Sequence, residues 1–192
     1  MKQAKTINQK QLNIFLKQLD AYQNSKRNKL AVCLTFYAGL RVGEVASLIW
    51  DDVIDDNLTA KDEIILNAEM VKSNENQKVF VNKKLRQEII EYKEYFSKTF
   101  GLINRQTPLI ITQKNTQFSA NSLCQLLNKL YKRCNLSTAT SHSGRRTFIT
   151  TLANKSINAK VIMSLARHKN LSTTQRYIDV NDEQLRKAVE LI

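Results

Sequence analysis

Residues 138–180 contain the side chains best suited to chemistry. Both histidines of the chain, His142 and His168, lie in this stretch with several arginines and Tyr177. His142 and Arg145 are three residues apart, so on a helix they would share a face. Fixed cations around a tyrosine hydroxyl are what displacement at a phosphodiester needs, because the transition state carries more negative charge than the ground state. The spacing therefore predicts chemistry on a phosphodiester.

Each residue type suits one part of such a reaction. Arginine keeps its charge and donates two parallel hydrogen bonds from a planar group, which suits the non-bridging oxygens of a phosphate. A tyrosine hydroxyl, with an ordinary pKa of about 10, is a weak nucleophile unless cations stabilise the developing phenolate. A tyrosine among arginines is therefore the combination that this chemistry requires.

The overall charge favours an anionic partner. The 192 residues include 30 Lys and Arg against 17 Asp and Glu, which gives a formal net charge of +13 and a pI near 9.8. A hydrophobic content of 42% indicates a folded protein. A basic folded chain of this size predicts one domain that binds a polyanion, with nucleic acid favoured over an anionic membrane surface.

Several other classes are disfavoured by the sequence. No apolar run approaches the ~18 residues of a membrane span, and the start, MKQAKTINQK, lacks the apolar core of a signal peptide. The three cysteines, Cys33, Cys124 and Cys134, lack the spacing of a metal site and are expected to be reduced core residues. We expect no metal, no cofactor and a cytoplasmic, nucleoid-associated protein.

Sequence periodicity predicts a mainly α fold with one small antiparallel β-hairpin, an α+β class. Thr6 with Gln9 resembles a capping box that opens a helix through about Tyr22. Residues 29–40 are apolar on all sides, which indicates a buried central helix, and Gly39 permits a break near its end.

The next segments place charged residues beside that buried helix. Arg41 and Glu44 begin a short helix, and such a pair is either structural or displayed at a site. Residues 63–71 and 77–82 read as two strands around a polar turn flanked by Lys72 and Lys78. A helix over residues 83–100 follows, with Gly101 as its stop, and then Pro108 begins an extended connection.

The last third of the chain is predicted to be helical. Ser119 or Asn121 caps one helix, and Ser141 caps the helix that holds His142 and Arg145. A further helix over about 158–168 ends at His168.

Two more caps follow along the chain. Ser172 with Gln175 forms a capping box that places Tyr177 on a short helix, and Asn181 caps the final helix. That helix carries an apolar stripe formed by Leu185, Ala188, Val189 and Ile192, which must pack on this domain or on a neighbouring subunit.

Two segments together resemble the tyrosine recombinase (phage integrase) family. GLRVGEVASLIWDDV, at residues 39–53, resembles the first conserved box of the family. SHSGRRTFITTLA, followed by LARHKNLSTTQRYIDV, resembles the second. A lone H-x-x-R motif is weak evidence for the family. The pattern is specific when R-x-x-E, H-x-x-R and a His and Tyr nine residues apart occur in this order. The resemblance covers about residues 25–192 and implies the family's catalytic-domain fold.

The resemblance also implies roles for particular residues. Arg41 and Arg145 would clamp the phosphate, with Glu44 bracing Arg41. His142 and His168 would occupy the family's histidine positions, and Tyr177 would form a 3′-phosphotyrosyl link.

The remaining basic residues have less specific expectations. Lys72 resembles the hairpin lysine that protonates the 5′-oxygen, with Lys78 as the alternative. DNA contacts are expected of Lys78, Arg146, Lys169 and Arg176.

The family implies double-stranded DNA as partner, a homotetramer formed through the C-terminal helix, and accessory DNA-bending proteins. The expected reaction is site-specific recombination without metal or ATP. The alternatives are a DNA-binding regulator on the same fold and an activity like that of a type IB topoisomerase.

The chain departs from the family pattern in two respects. Gly144 replaces a bulky apolar residue, Arg146 replaces a histidine, and Arg167 stands where glycine usually precedes His168, which adds bulk and charge beside the site. Residues 1–24 are expected to form a short helical extension, without a separate core-binding domain. The sequence therefore resembles the short catalytic-domain-only members, such as fimbrial-switch invertases. The alternatives are a remnant of a longer integrase and a protein that borrows its clamp domain from another protein.

Overall fold

The computed structural model describes residues 5–70, 75–178, 185–186, 189–190 and 192, apart from the side chain of Glu69. The helices are α1 (Gln9–Gln18), α2 (Ser25–Tyr37), α3 (Val42–Ser47), α4 (Trp50–Val53), α5 (Lys83–Phe100), α6 (Ala120–Arg133), α7 (Ser143–Asn154), α8 (Ala159–Ala166) and α9 (Leu171–Gln175). The strands are β1 (Glu63–Leu66) and β2 (Gln77–Phe80). The predicted mainly helical fold with one antiparallel hairpin is confirmed.

Helix α2 is the centre of the core, as its apolar sequence predicts. Its side chains are buried from Leu30 to Phe36, and it packs against both α5 and α7. The indole of Trp50 stacks on the ring of Tyr92 from α5, with centroids 5.4 Å apart. Helix α2 ends before Gly39, which takes φ +61°, a conformation that glycine adopts without strain.

Helix α1 begins later than predicted. Asn8, rather than Thr6, is its N-cap, and Asn8 and Gln11 form a reciprocal capping box. The prediction is wrong because the preceding residue is held elsewhere: the backbone N–H of Ile7 donates to Thr147 Oγ1 of α7 at 2.9 Å. The helix then tightens into a 3₁₀ turn over Leu19–Ala21, near its predicted end.

The hairpin has shorter strands than predicted. Ile65 pairs with Lys78 in antiparallel register, and a 3₁₀ turn over Ala68–Met70 stands where the first strand was expected to continue. The inner face buries Ile64 and Val79, as alternation in a half-buried strand requires. Residues 72–74 of the predicted turn lie outside the described residues.

The helix predictions for the middle of the chain are correct in most details. Helix α5 ends at Gly101 as predicted. Ser119 caps α6, so Asn121 lies inside that helix. The Ser141 cap is wrong: α7 begins at Ser143 with His142 at the N-cap position, because the backbone N–H of Ser141 donates to Asn128 Oδ1 instead.

Helices α7 and α8 enclose a small second core. Ile149, Ala153, Ile162 and Ala166 are buried together there, and Tyr177 packs against them. Helix α8 ends at Ala166 rather than His168, because Arg167 turns the backbone into the left-handed region at φ 54°.

The Ser172 capping box is also wrong. Asn170 occupies the N-cap of α9, and Tyr177 lies in the turn after this helix rather than on it. The predicted cap Asn181 and stripe residue Ala188 lie outside the described residues, whereas Leu185, Val189 and Ile192 are exposed.

The structure bears on three expectations from composition, which concern membrane spans, metal sites and the cysteines. No helix within the described ranges is long and apolar enough to cross a bilayer. Among the same residues, no group of three or more His, Cys, Asp or Glu could hold a metal ion. Cys33 and Cys134 are buried thiols as expected, but Cys124 is only partly buried.

Candidate active site

A cleft of ≈ 460 Å³ brings together residues from α3, α6, α7 and the segment around α9. Its lining includes Arg41, His142, Arg145, Arg146, Arg176 and Tyr177. Arg41 and Tyr177 are more than a hundred residues apart in the chain, so the fold assembles this site. Two arginines, one histidine and the tyrosine singled out from the sequence therefore share one cleft.

Arg41 is oriented by Glu44. The Glu44 carboxylate accepts from Arg41 Nη1 at 2.6 Å and from the Arg41 backbone N–H at 2.8 Å. Glu44 is buried, whereas the Arg41 side chain is 41% exposed toward the cleft. The pair is therefore an anchored guanidinium with an accessible face rather than a solvated surface ion pair.

Arg145 is held by carbonyl oxygens. Its Nη1 donates to the Gly39 carbonyl at 2.6 Å, and its Nη2 donates to the Ala166 carbonyl. Gly144 makes this approach possible, since a Cβ there would lie 2.0 Å from Thr35 Oγ1 of α2. Carbonyl groups fix the guanidinium without neutralising it, so its charge remains available to an anion.

The cleft wall holds more positive than negative charge. Arg41, Arg145 and Arg167 surround the single carboxylate of Glu44, and no other acidic side chain in the described ranges pairs with them. Burial, followed by the charges of Arg41 and Arg167, lowers the pKa of Arg145 to about 9. Such a cluster is stabilised by a bound anion, as a phosphate site requires.

Glu44 stays ionised inside this cluster. Burial alone would raise the pKa of its carboxyl group, but the Arg167 charge and the hydrogen bonds from Arg41 outweigh burial and hold that pKa below its ordinary value. The carboxylate can therefore accept from both arginines at neutral pH.

His168 is a neutral imidazole at neutral pH. Burial and the charges of Arg145, Arg41 and Arg167 lower its pKa to about 4. Its Nδ1 lies 2.9 Å from the hydroxyl oxygen of the fully buried Thr174. That contact fixes the ring and leaves Nε2 as the nitrogen available to a ligand.

Tyr177 lies between the two histidine-bearing segments and an arginine. Its ring stacks on the His168 ring with centroids 6.0 Å apart, and the Arg146 guanidinium lies 5.3 Å from the Tyr177 ring centroid. The backbone N–H of Tyr177 donates to the Thr174 carbonyl at 2.9 Å. These two contacts hold the Tyr177 ring, which remains part of the cleft lining.

The predicted lysines lie beyond this cleft. Lys72 is outside the described residues. Lys78 forms an ion pair with Glu63 at 2.8 Å and lines a neighbouring groove of ≈ 670 Å³ with Lys169, Arg167 and His168. His168 therefore lies on the side of the cleft that adjoins the hairpin.

Two contributors were not found from sequence. Thr174 is one, although its position three residues before Tyr177 was a signal for a shared helical face. The Gly39 carbonyl is another, since its role as an acceptor has no sequence signature. Arg167 was expected to add bulk and charge beside the site; its side chain is buried there, where it pairs with Glu44.

The family model of the phage integrase family matches residues 5–184. The chain belongs to the phage integrase family. The family expectation drawn from the two sequence boxes is confirmed.

Curated relatives extend well beyond the matched part. The chain is 32% identical over 162 residues to tyrosine recombinase XerC of Staphylococcus epidermidis RP62A, which covers 84% of this chain and 52% of the relative. It is 32% identical over 168 residues to tyrosine recombinase XerA of Thermococcus kodakarensis, which covers 86% of this chain and 55% of that protein. The chain thus spans about half the length of the curated relatives it matches.

Solved structures show the same fold. The crystal structure of XerA recombinase superimposes with a TM-score of 0.77 at 18% identity over 100% of this chain and 66% of that one. The XerH site-specific recombinase bound to its difH substrate gives a TM-score of 0.71 at 19% identity, covering 98% and 54%. The fold is that of a tyrosine recombinase catalytic domain.

Proposed function

We propose that this chain carries the catalytic site of a site-specific DNA recombinase that cuts and rejoins duplex DNA through a 3′-phosphotyrosyl intermediate. The observation that carries the proposal is the cleft itself, where Tyr177 lines a wall with two anchored arginines and an excess of positive charge. The family relatives named tyrosine recombinases support it, as do the structures of XerH and the Tn1549 integrase in complex with DNA.

The first step is displacement at phosphorus. The Tyr177 hydroxyl oxygen attacks the scissile phosphate, forms the phosphotyrosyl bond and loses its proton, while the 5′-oxygen leaves and gains one. Arg41 and Arg145 hold the non-bridging oxygens, where negative charge increases in the transition state. Losing one such contact raises the barrier by about 3–4 kcal/mol.

The histidines assist this displacement from two sides. His142, the N-cap residue of α7, lines the cleft, and the neutral His168 offers Nε2 to a phosphate oxygen or to the attacking hydroxyl. The transition state at the phosphate carries about two negative charges, which would raise the pKa of His168. The ring can therefore take up a proton as the reaction proceeds. Lys72 is proposed as the acid for the leaving oxygen, with Lys78 as the alternative.

Rejoining reverses these bond changes on a new strand. A free 5′-hydroxyl attacks the phosphotyrosyl ester, so one phosphate ester replaces another and no ATP is needed. Phosphate contacts from Arg146, Lys169 and Arg176 would hold the duplex against the cleft. A homotetramer on two DNA sites, formed through the C-terminal helix and aided by DNA-bending proteins, completes the proposal.

A covalent-capture assay tests the proposal. The protein is incubated with a pool of nicked duplexes whose central segment is randomised, so that the cleaved fragment diffuses away and traps the intermediate. An adduct that resists SDS and is removed by protease supports a recombinase. Sequence-specific binding without an adduct would identify a regulator, and relaxation of supercoiled plasmid without sequence preference would identify a topoisomerase.

A further inference from the structure

Arg167 lines the neighbouring groove, contacts Arg41 of the cleft, and has no role in the proposed reaction. Its side chain is 3% exposed, so it cannot be a surface contact for DNA. Its Nη2 donates to Glu44 Oε2 at 2.8 Å and to the Gly39 carbonyl at 3.2 Å. It therefore contacts the same carboxylate that orients Arg41 and the same carbonyl that orients Arg145.

The backbone of Arg167 adds a third link. Its carbonyl oxygen accepts from Arg41 Nη2 at 3.3 Å, and the adjacent carbonyl of Ala166 accepts from Arg145. One residue thus connects both arginines proposed to clamp the phosphate. The same residue precedes His168 in the chain, so the clamp and the imidazole share one support.

Arg167 has two energetically unfavourable features in this position. Arg167 adopts φ 54° and ψ 46°, a left-handed conformation that a residue with a Cβ adopts reluctantly. Its Nε is buried without a hydrogen-bond partner. Glycine would remove both features, so the side chain must contribute something that offsets them.

We infer that Arg167 is a positioning residue that fixes the guanidinium groups of Arg41 and Arg145 through Glu44 and Gly39. The inference rests on the proposed function, because the clamp matters only if a phosphate binds. Without Arg167, the Glu44 carboxylate loses one of its two cationic partners and the Gly39 carbonyl loses one of its two donors. Arg41 then becomes mobile, although the fold around it stays intact.

The test compares Arg167→Gly with wild type in two measurements. In the first, the rate of covalent capture at saturating protein falls roughly tenfold to a hundredfold, the effect of a misplaced clamp, while duplex affinity changes little. In the second, the Nε–Hε order parameter of Arg41, measured by NMR on the free protein, falls toward that of a surface arginine.

Two matched controls separate positioning from stability. Ser156→Gly relaxes an exposed residue at φ 57° after α7 and controls for the gain in backbone freedom. Arg27→Lys alters another buried arginine, whose Nη1 donates to the Ile111 carbonyl far from the cleft, and controls for Arg167→Lys. Both control proteins should keep the wild-type capture rate and Arg41 order.

Arg167→Lys keeps the charge beside Glu44 and should restore part of the lost rate. Glycine and lysine variants that both capture DNA as fast as wild type would contradict a role for the side chain. A lowered melting temperature with wild-type capture rate and wild-type Arg41 order would overturn the inference and leave a structural role only. If wild type forms no adduct, the proposed function fails, and Arg41 order in the two proteins still decides the positioning role.

Discussion

At the scale of single residues, the cleft is organised by groups that position charge without cancelling it. Arg145 is held by two backbone carbonyl groups, and Arg41 shares its carboxylate partner with Arg167. The consequence is a wall with more guanidinium groups than carboxylates. This imbalance is unfavourable in the empty protein and becomes favourable when a phosphate binds, which is how a site selects an anion.

His168 provides a residue-scale prediction about pH. Its pKa is about 4 in the folded protein, against an ordinary value of about 6.5, so the unfolded chain binds more protons between these pH values. Stability therefore falls as pH drops from about 6.5 to about 4. Relative to His168→Asn, wild type should lose about 1–2 kcal/mol over this range, discounted because the ring is half exposed.

Denaturant unfolding at a series of pH values measures this difference. A parallel decline of wild type and His168→Asn would contradict the lowered pKa.

The residue types of the candidate site and their order in the chain were predictable from the sequence. The groups that hold these side chains in place were not. The order and spacing of the candidate residues can be read directly from the sequence: Arg41, His142, Arg145, His168 and Tyr177. The Gly39 carbonyl is joined to Arg145 across 106 residues and to Arg167 across 128, and no local pattern encodes such contacts. Arg167 was predicted to add bulk and charge beside the site, but its contacts with Glu44 and Gly39 were not predicted.

At the scale of elements, the close approach of α2 and α7 delivers Arg145 to the cleft. The two helices touch at Gly144, where a side chain would collide with Thr35 of α2. The sequence marked Gly144 as a departure from the family pattern but could not supply its reason, because that reason lies in a helix a hundred residues earlier. The predictions of Thr6 and Ser141 as helix caps were wrong for the same reason. The backbone N–H groups of Ile7 and Ser141 donate to side chains that are not local in the sequence.

Gly144→Ala should separate these helices. An added Cβ would lie 2.0 Å from Thr35 Oγ1 and 2.7 Å from Thr35 Cβ, so α7 must shift, which typically destabilises a protein by about 1–3 kcal/mol. Covalent capture should fall as well, since Arg145 is the next residue. Thermal unfolding and the capture assay measure the two effects.

Gly43→Ala is the matched control for this prediction. Gly43 also lies in a helix, but its added Cβ would be 3.6 Å from the Ala120 Cβ, an ordinary contact. The control protein should be as stable as wild type or more stable, because alanine favours a helix by up to about 1 kcal/mol. Equal stability of the two variants would show that α2 and α7 are not tightly packed at Gly144.

At the scale of the whole molecule, the excess of positive charge far exceeds what the cleft uses. The formal charge of +13 is distributed over many elements, so a duplex would meet basic residues on either side of the cleft. Composition alone predicted a polyanionic partner. It could not predict which basic residues face that partner, since Lys78 is paired with Glu63 and Arg167 is buried.

DNA affinity should therefore fall steeply with salt. Each neutralised phosphate contributes about 0.9 to the slope of log affinity against log salt, so Arg176→Gln, which removes an exposed cleft arginine, should reduce that slope by about one. Lys98→Gln removes the same charge from the last turn of α5 and should leave the slope unchanged. Fluorescence anisotropy across a salt series measures both slopes, and a salt-independent affinity would argue against a nucleic-acid partner.

The most direct test of the central claim is to locate the covalent bond to DNA. The wild-type adduct captured on a nicked duplex is digested with nuclease and protease, and the modified peptide is sequenced by tandem mass spectrometry. We predict a nucleotide on the hydroxyl oxygen of Tyr177, and no adduct from Tyr177→Phe, although that variant still binds the duplex. The control Tyr95→Phe, outside the cleft, should form the adduct normally. An adduct on any other residue, or one that persists in Tyr177→Phe, would contradict the account.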